Sequence, residues 1–287
     1  MEKVRLENVK PGMILGRSIF LADGRILVRQ QTTITANAIT KLRELRLPSI
    51  YIKNFNDEEL PDIVSDATRS DLIQSIYKLE VGTPGKAGNV IACKHALYQL
   101  VDEIVSNQKI PLHFTDVRLH NDYLYSHMVN VCIVAVKIGL MMGFNQLKLA
   151  ELALGSLLHD IGMTKISTEI LCRIGGLTSE EMREVQLHSK NGYDILRQLP
   201  DVSAVSANVA YQHHERFNGT GYPRSLAGND IHEFARITAV ADVFDAMTTD
   251  KVYSHAKSIP ETLKYLRSLK GIEFDPDVVA IMGEAVC

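Results

Sequence analysis

The chain has 287 residues, 46% of them hydrophobic, enough apolar material for a sizeable core and for one large domain with a small companion. Its 31 basic and 34 acidic side chains leave a net charge of -3, which excludes a broad cationic surface for a nucleic acid polymer or a layer of lipid headgroups. An anionic ligand must therefore be held locally.

The first 55 residues differ in texture from the rest. "GMILGRSIFLADGRILVRQQTTIT" sets short β-prone runs around an Asp23-Gly24 turn, which predicts a hairpin. "ANAITKLRELRL" then reads as an amphipathic helix and "SIYI" as a strand. Residues 1–55 are thus expected to form a small α+β module. Residues 56–110 read as a polar, acidic linker with Pro61 and then connecting helices, interrupted at 81–89 by "VGTPGKAGN". From residue 90 onward the hydrophobic period is helical, so residues 111–287 are expected to be an all-helical domain and the fold class is mainly α.

Within that domain the apolar run 129–144 is interrupted by Lys137 and falls short of the roughly 20 residues a membrane span needs, so it reads as a core helix. "NQLKLAELALGSLLHDIG" places Leu147, Ala150, Leu154, Leu157 and Leu158 on one face, with Gly162 just past the helix end. Thr178 with Glu181, and Ser258 with Glu261, have capping-box spacing, while Asp275-Pro276 reads as an N-cap followed by the first helical residue. Four scattered cysteines, Cys93, Cys132, Cys172 and Cys287, show no CxxC spacing, and no charged-apolar-small leader opens the chain. A reducing cytoplasm is the expected setting.

The chemistry sits in isolated polar residues within apolar helices. A lone buried histidine is ordinarily a satisfied core residue and an aspartate near a helix end a cap, and His95, His113, His120, His232 and His255 are read that way. His127, His159, Asp160, His188, His213, His214 and Asp242 form a different case. Four or five separate helices each deliver an imidazole or carboxylate from apolar surroundings, where an uncompensated polar group costs several kcal/mol. One shared metal site accounts for all of them. The absence of thiolates suits iron, manganese or zinc and argues against a structural zinc site. Five imidazoles and two carboxylates exceed the needs of one tetrahedral ion. Two ions about 3.5–4 Å apart, sharing a carboxylate, can activate water and clamp the oxygens of a phosphoryl centre, which points to phosphoester hydrolysis.

Taken in order, "LLHDIG", His188, "HHERFNGTGYP" and "ADVFDAMTTDKVY" resemble the HD-GYP family, a branch of the HD superfamily of metal-dependent phosphohydrolases, over residues 115–287. Residues 1–55 resemble, more weakly, a small module that often precedes such domains. The resemblance implies a helical bundle of the HD superfamily, making residues 111–287 its catalytic domain. It also implies a bacterial phosphodiesterase that opens cyclic di-GMP to linear pGpG and on to GMP. All seven residues match metal positions of the family, with Asp160 as the bridging carboxylate, and the metals implied are iron or manganese. A third-ion glutamate of some members falls at Tyr123, so two divalent ions are expected. A protein partner for the N-terminal module and a homodimer are compatible with this reading.

Gly219 and Gly221 let the backbone after the ligand pair come close to a nucleotide, and Tyr222 offers a face or hydroxyl to a base or ribose. Gly221, Tyr222, Pro223 and Lys251 are the expected substrate contacts, and Asp160 and Lys165 the expected catalytic groups. Departures from the family pattern cluster around the substrate. Met163 stands where a lysine usually follows "HDIG", with Lys165 two residues on, and Asn218 and Ser225 replace a usual aspartate and glycine. Lys251, Val252 and Ser254 replace an arginine, a proline and a basic residue, so a bidentate guanidinium clamp becomes a point charge. Two alternatives follow: a cyclic-dinucleotide receptor with little turnover, or a phosphodiesterase for another cyclic dinucleotide such as cyclic GMP-AMP.

Overall fold

The predicted hairpin pairs strand β3 (Ile19–Phe20) antiparallel with β4 (Ile26–Val28). Strand β1 (Glu2–Arg5), β2 (Ile14–Leu15) and β5 (Ser49–Lys53) make an antiparallel sheet in the order β1-β5-β2, with Val4 opposite Ile50. Helix α1 (Ala36–Glu44) starts at Thr35, whose hydroxyl accepts the Ala38 N–H at 3.2 Å. Leu15, Ile19, Ile34, Leu42 and Ile50 form the core of this module. A computed structural model describes the whole chain except residues 22, 46, 54–61, 82–86, 113–122, 172, 174, 250–255 and 287, with 80, 81, 87–89 and 123 described by backbone alone.

Helical sequence then runs to the end. It comprises α2 (Asp66–Val81), α3 (Ala87–Ser106), α4 (Tyr123–Met141) and α5 (Gln146–Leu157), then a 3-10 turn (Ile161–Lys165) and the short α6 (Thr168–Leu171). Helices α7 (Ser179–Gln198), α8 (Ala204–Gln212), α9 (Glu233–Thr248), α10 (Ile259–Ser268) and α11 (Pro276–Ala285) follow. Both predicted capping boxes form, Thr178 with Glu181 and Ser258 with Glu261, and the Asp275 side chain caps α11 ahead of Pro276.

The apolar run forms α4, the central helix. It is the one helix among the described residues long and apolar enough to cross a membrane by composition, yet most of it is buried against neighbouring helices. Lys137 on α4 donates to the carbonyls of Gln108 and Ile110, so its ammonium group reaches backbone acceptors at the bundle's edge. The stretch 56–110, read as linker and connecting helices, contributes Ile63, Leu72, Ile76, Leu97 and Leu100 to the same core as α4 and α5.

Two local expectations are corrected. Leu147 is 74% exposed, because the stripe of α5 that meets α4 runs through Leu149, Leu152 and Ala153, and Leu147 lies about 200° around the helix from Leu149. Gly162 does not simply follow a helix end; α5 stops at Leu157 and Gly162 sits inside the 3-10 turn.

The N-terminal module packs on α2. The Ser70 hydroxyl donates to the Gly24 carbonyl at 2.6 Å, and Ser18 donates to the Asp66 carboxylate. A Cβ on Gly24 would lie 2.7 Å from the Ser70 carbonyl oxygen, so the hairpin turn needs glycine both for its φ of +79° and for this approach.

Candidate metal centre

Five elements converge. Helix α4 carries His127, the end of α5 leads into His159 and Asp160, α7 carries His188, the end of α8 leads into His213 and His214, and α9 carries Asp242. Small residues make this convergence possible. Gly155 of α5 faces α8, where an added Cβ would lie 3.0 Å from the Ser206 carbonyl oxygen. Gly162 presses the turn after Asp160 onto α7, where a Cβ would collide with the His188 carbonyl. The seven predicted donors are thereby gathered into two adjoining groups, Asp160 with His188, His213 and His214, and His127 with His159 and Asp242.

Asp160 lies between the groups and divides its oxygens. Its Oδ1 is 3.3 Å from His188 Nε2 and 3.6 Å from His213 Nε2, while its Oδ2 is 3.6 Å from His159 Nε2 and 3.9 Å from His127 Nε2. Asp242 Oδ1 stands 3.1 Å from His127 Nε2.

The imidazoles are oriented by what their other nitrogens do. His159 Nδ1 donates to the Ser156 carbonyl at 2.8 Å, His188 Nδ1 to Val185 at 2.6 Å and His213 Nδ1 to Ala210 at 3.0 Å. Carbonyl oxygens only accept, so each neutral ring keeps an Nε2 lone pair aimed into the centre. His188 Nε2 and His213 Nε2 face each other at 3.3 Å beside Asp160 Oδ1, three acceptors with no donor among them. His159 Nε2 is buried without a hydrogen-bond partner among the described residues. Such groups demand a cation, and a thiolate-free set of imidazoles and carboxylates fits divalent iron, manganese or zinc.

The electrostatics agree. Burial lowers the His159 pKa to about 4 and holds that of His214 well below the usual histidine value, so both are neutral ligands at pH 7. Burial works against charge on His127 as well, but hydrogen bonds to Asp242 and Asp245 win and raise its pKa to about 9. Burial opposes ionisation of Asp160, yet the imidazoles of His159, His213 and His188 around it hold it well below the ordinary carboxylate range. It stays a fixed negative charge between the two groups.

The loop after the ligand pair is tied down. Tyr222 stacks on His214 with ring centroids 4.8 Å apart, and its N–H donates to the His214 carbonyl at 3.2 Å. One face of its ring is thus a wall of the centre, and burial pushes its hydroxyl pKa up. Gly221 lies so close to the His214–Arg216 backbone that a Cβ would collide with it, which assigns this glycine an internal packing role beside any approach to ligand. The Tyr222–Pro223 peptide is cis, and Pro223 is exposed. Lys165 is exposed at the end of the 3-10 turn and makes no ion pair among the described residues, whereas Met163 in the same turn is half-buried. Lys251 lies outside the described residues.

Three supporting residues escaped sequence reasoning. Asp245, fully buried one turn beyond Asp242, accepts from His127 Nδ1 at 2.6 Å, and Asn130 Nδ2 donates to its other oxygen at 3.0 Å. Asp245 also recurs at the (i, i+3) spacing of a shared helix face in "ADVFD", the one signal that could have found it. Glu215, 3% exposed, accepts the Arg224 N–H at 2.7 Å and the Leu226 N–H at 2.9 Å, closing the loop that carries Tyr222. Glu215→Ala strands both donors and is expected to cost about 2–3 kcal/mol of stability. Glu215→Gln, which keeps one acceptor oxygen, should cost less. Urea unfolding of the two variants measures the difference, and equal midpoints for Ala and wild type would remove this role.

Comparisons with known proteins agree with the geometry. The profile of the HD domain matches residues 111–278. The "Cyclic di-GMP phosphodiesterase PA4108" of Pseudomonas aeruginosa is 34% identical over 241 residues, covering 84% of this chain and 52% of that protein. The "3'3'-cGAMP-specific phosphodiesterase 2" of Vibrio cholerae is 32% identical over 160 residues, 55% of this chain and 31% of that protein. The chain therefore spans about half the length, or less, of these curated relatives. Among solved structures, "Bd1817, a HDG"Y"P protein from Bdellovibrio bacteriovorus" superposes with a TM-score of 0.63 at 17% identity, covering 99% of this chain and 98% of that one. That likeness concerns the fold. With the match over residues 111–278 and the histidine–glycine–tyrosine–proline loop in its place beside the ligands, the chain belongs to the HD domain family, in its HD-GYP branch.

Proposed function

We propose that this protein hydrolyses a phosphodiester bond of a cyclic dinucleotide, cyclic di-GMP to pGpG and onward to GMP, with two divalent ions, iron or manganese. The observation that carries this reading is the division of Asp160, one oxygen facing His188 and His213 and the other facing His159 and His127. Bound ions of this kind supply Lewis acidity and an activated water. The residues do the rest. Fixed Nδ1 contacts keep the imidazole lone pairs aimed inward, so little reorganisation accompanies binding. Asp160 and Asp242 offset the positive charge of the ions, and the Tyr222 wall limits access of bulk water to His214. Water adds at phosphorus as the bond to one ribose oxygen breaks, and that oxygen leaves with a proton. The unpaired thiols Cys93 and Cys132, both buried, support a reducing, cytoplasmic setting.

The test is product release from cyclic di-GMP by protein loaded with iron under anaerobic conditions or with manganese. Multiple turnover supports an enzyme. Stoichiometric binding without product favours the receptor reading, which Met163 motivates because a thioether in the 3-10 turn supplies no charge to a phosphate. Relatives named for 3'3'-cGAMP make that nucleotide the first competitor to include. Restoring a guanidinium with Lys251→Arg is expected to tighten cyclic di-GMP binding about three- to tenfold, since a forked donor replaces a point charge. Calorimetric titration measures this, and an unchanged Kd would separate Lys251 from the substrate.

A further inference from the structure

The His127 side of the centre is connected to the N-terminal module by an unbroken series of polar contacts, buried except at the half-buried Asp62. Arg17, 7% exposed in the module, donates from Nη1 to Asp62 Oδ2 at 2.8 Å. The other oxygen of Asp62 is 3.5 Å from Nη2 of Arg69 on α2, itself 6% exposed. Arg69 Nη1 donates to Asn130 Oδ1 on α4 at 2.9 Å, and Asn130 Nδ2 donates to Asp245 Oδ1 on α9 at 3.0 Å. Asp245 Oδ2 then receives His127 Nδ1 at 2.6 Å.

The direction of each bond dictates the next. Guanidinium groups only donate, so Asn130 must turn its oxygen toward Arg69 and its amide N–H toward Asp245. A carboxylate only accepts, so His127 must carry its proton on Nδ1 and present Nε2 toward Asp242 and Asp160. The series sets the two guanidinium groups beside Asp62 and Asp245, so withdrawing one member leaves a charge whose partners must shift.

We propose that Arg17, Asp62, Arg69 and Asn130 are positioning residues for the His127–His159–Asp242 half of the centre, so that docking of the N-terminal module sets the metal affinity of that half. The inference rests on the metal-centre reading but not on the identity of the substrate. Among the described residues no comparable series reaches His188 or His213, whose Nδ1 atoms are held by carbonyls of their own helices. The two halves should therefore respond differently when the module is perturbed.

The test is manganese titration of chelator-stripped full-length protein, followed by calorimetry and by electron paramagnetic resonance of bound ion, for wild type, Arg17→Met, Arg17→Lys and Asp62→Asn. Wild type should take up two ions. Arg17→Met and Asp62→Asn should bind one ion with unchanged affinity and the other about tenfold more weakly, with Arg17→Lys between them and wild type. Thermal unfolding of the stripped proteins separates this pattern from general loosening. Unchanged affinities in both variants, or equal weakening of both ions, would overturn the proposal. A wild-type protein that binds no ion would remove the metal-centre reading itself, and this inference with it.

Discussion

Asp160→Ala is expected to lower the hydrolysis of cyclic di-GMP by ~10³-fold or more and to reduce bound metal from two ions per chain to one or none. The carboxylate stands between all four oriented imidazoles, 3.3–3.6 Å from His188 and His213 through one oxygen and 3.6–3.9 Å from His159 and His127 through the other. Removing it deletes the carboxylate that faces both halves and leaves the His188 and His213 lone pairs opposed at 3.3 Å without that anion beside them. Asp160→Asn is the informative companion. An amide keeps the shape and one acceptor, but its NH₂ has no lone pair for an ion and donates instead. It should retain one ion and lose turnover. Elemental analysis of anaerobically purified variants, read beside product formation, decides the matter; full metal content with full activity in Asp160→Ala would sink the shared-centre reading.

What the sequence revealed of this centre follows from how unlike its surroundings each ligand is. A histidine or aspartate set in "LLHDIG" or "ITAVADVF" stands out because apolar helices rarely tolerate an uncompensated polar group. The residues that support the ligands lack that contrast. Asn130 and Asp245 read as ordinary polar positions on helices, and their pairing joins α4 to α9 across a sequence separation of 115 residues. Arg17 and Arg69 read as surface charges, since nothing local shows that both will be buried against one aspartate. The same limit explains Leu147, whose place on a periodic apolar row did not disclose that the face of α5 meeting α4 runs through Leu149, Leu152 and Ala153 instead. Helix caps were legible because they are local chemistry, a side chain meeting a backbone N–H three residues on. Residues 56–110 looked like connections because their polar start hides how far α2 and α3 enter the common core.

Gly162 offers the sharpest separation between a helix stop and a structural contact. Its φ lies outside the left-handed region, so alanine meets no backbone penalty there, and any effect of Gly162→Ala must come from the added methyl group. That methyl would fall on the His188 carbonyl and lie 2.5 Å from the Gly192 nitrogen, both backbone atoms of α7 that no rotamer change can move. The turn must back away from α7, carrying Asp160, two residues earlier, away from His188. Overpacking of this kind costs about 1–3 kcal/mol, and a misplacement of about 1 Å at a reacting centre costs ~10²-fold in rate. Gly162→Ala should therefore unfold at lower temperature, lose ion from the His188 half and retain only a small fraction of the activity. Gly192→Ala is the control, because its Cβ would meet the Ala210 Cβ and the Gly162 nitrogen at 3.3 Å, contacts that shifts of a few tenths of an ångström relieve. If the two variants behave alike, the close approach of the 3-10 turn to α7 does not set the geometry of the centre; a Gly162 variant that fails while Gly192→Ala keeps both ions shows that it does.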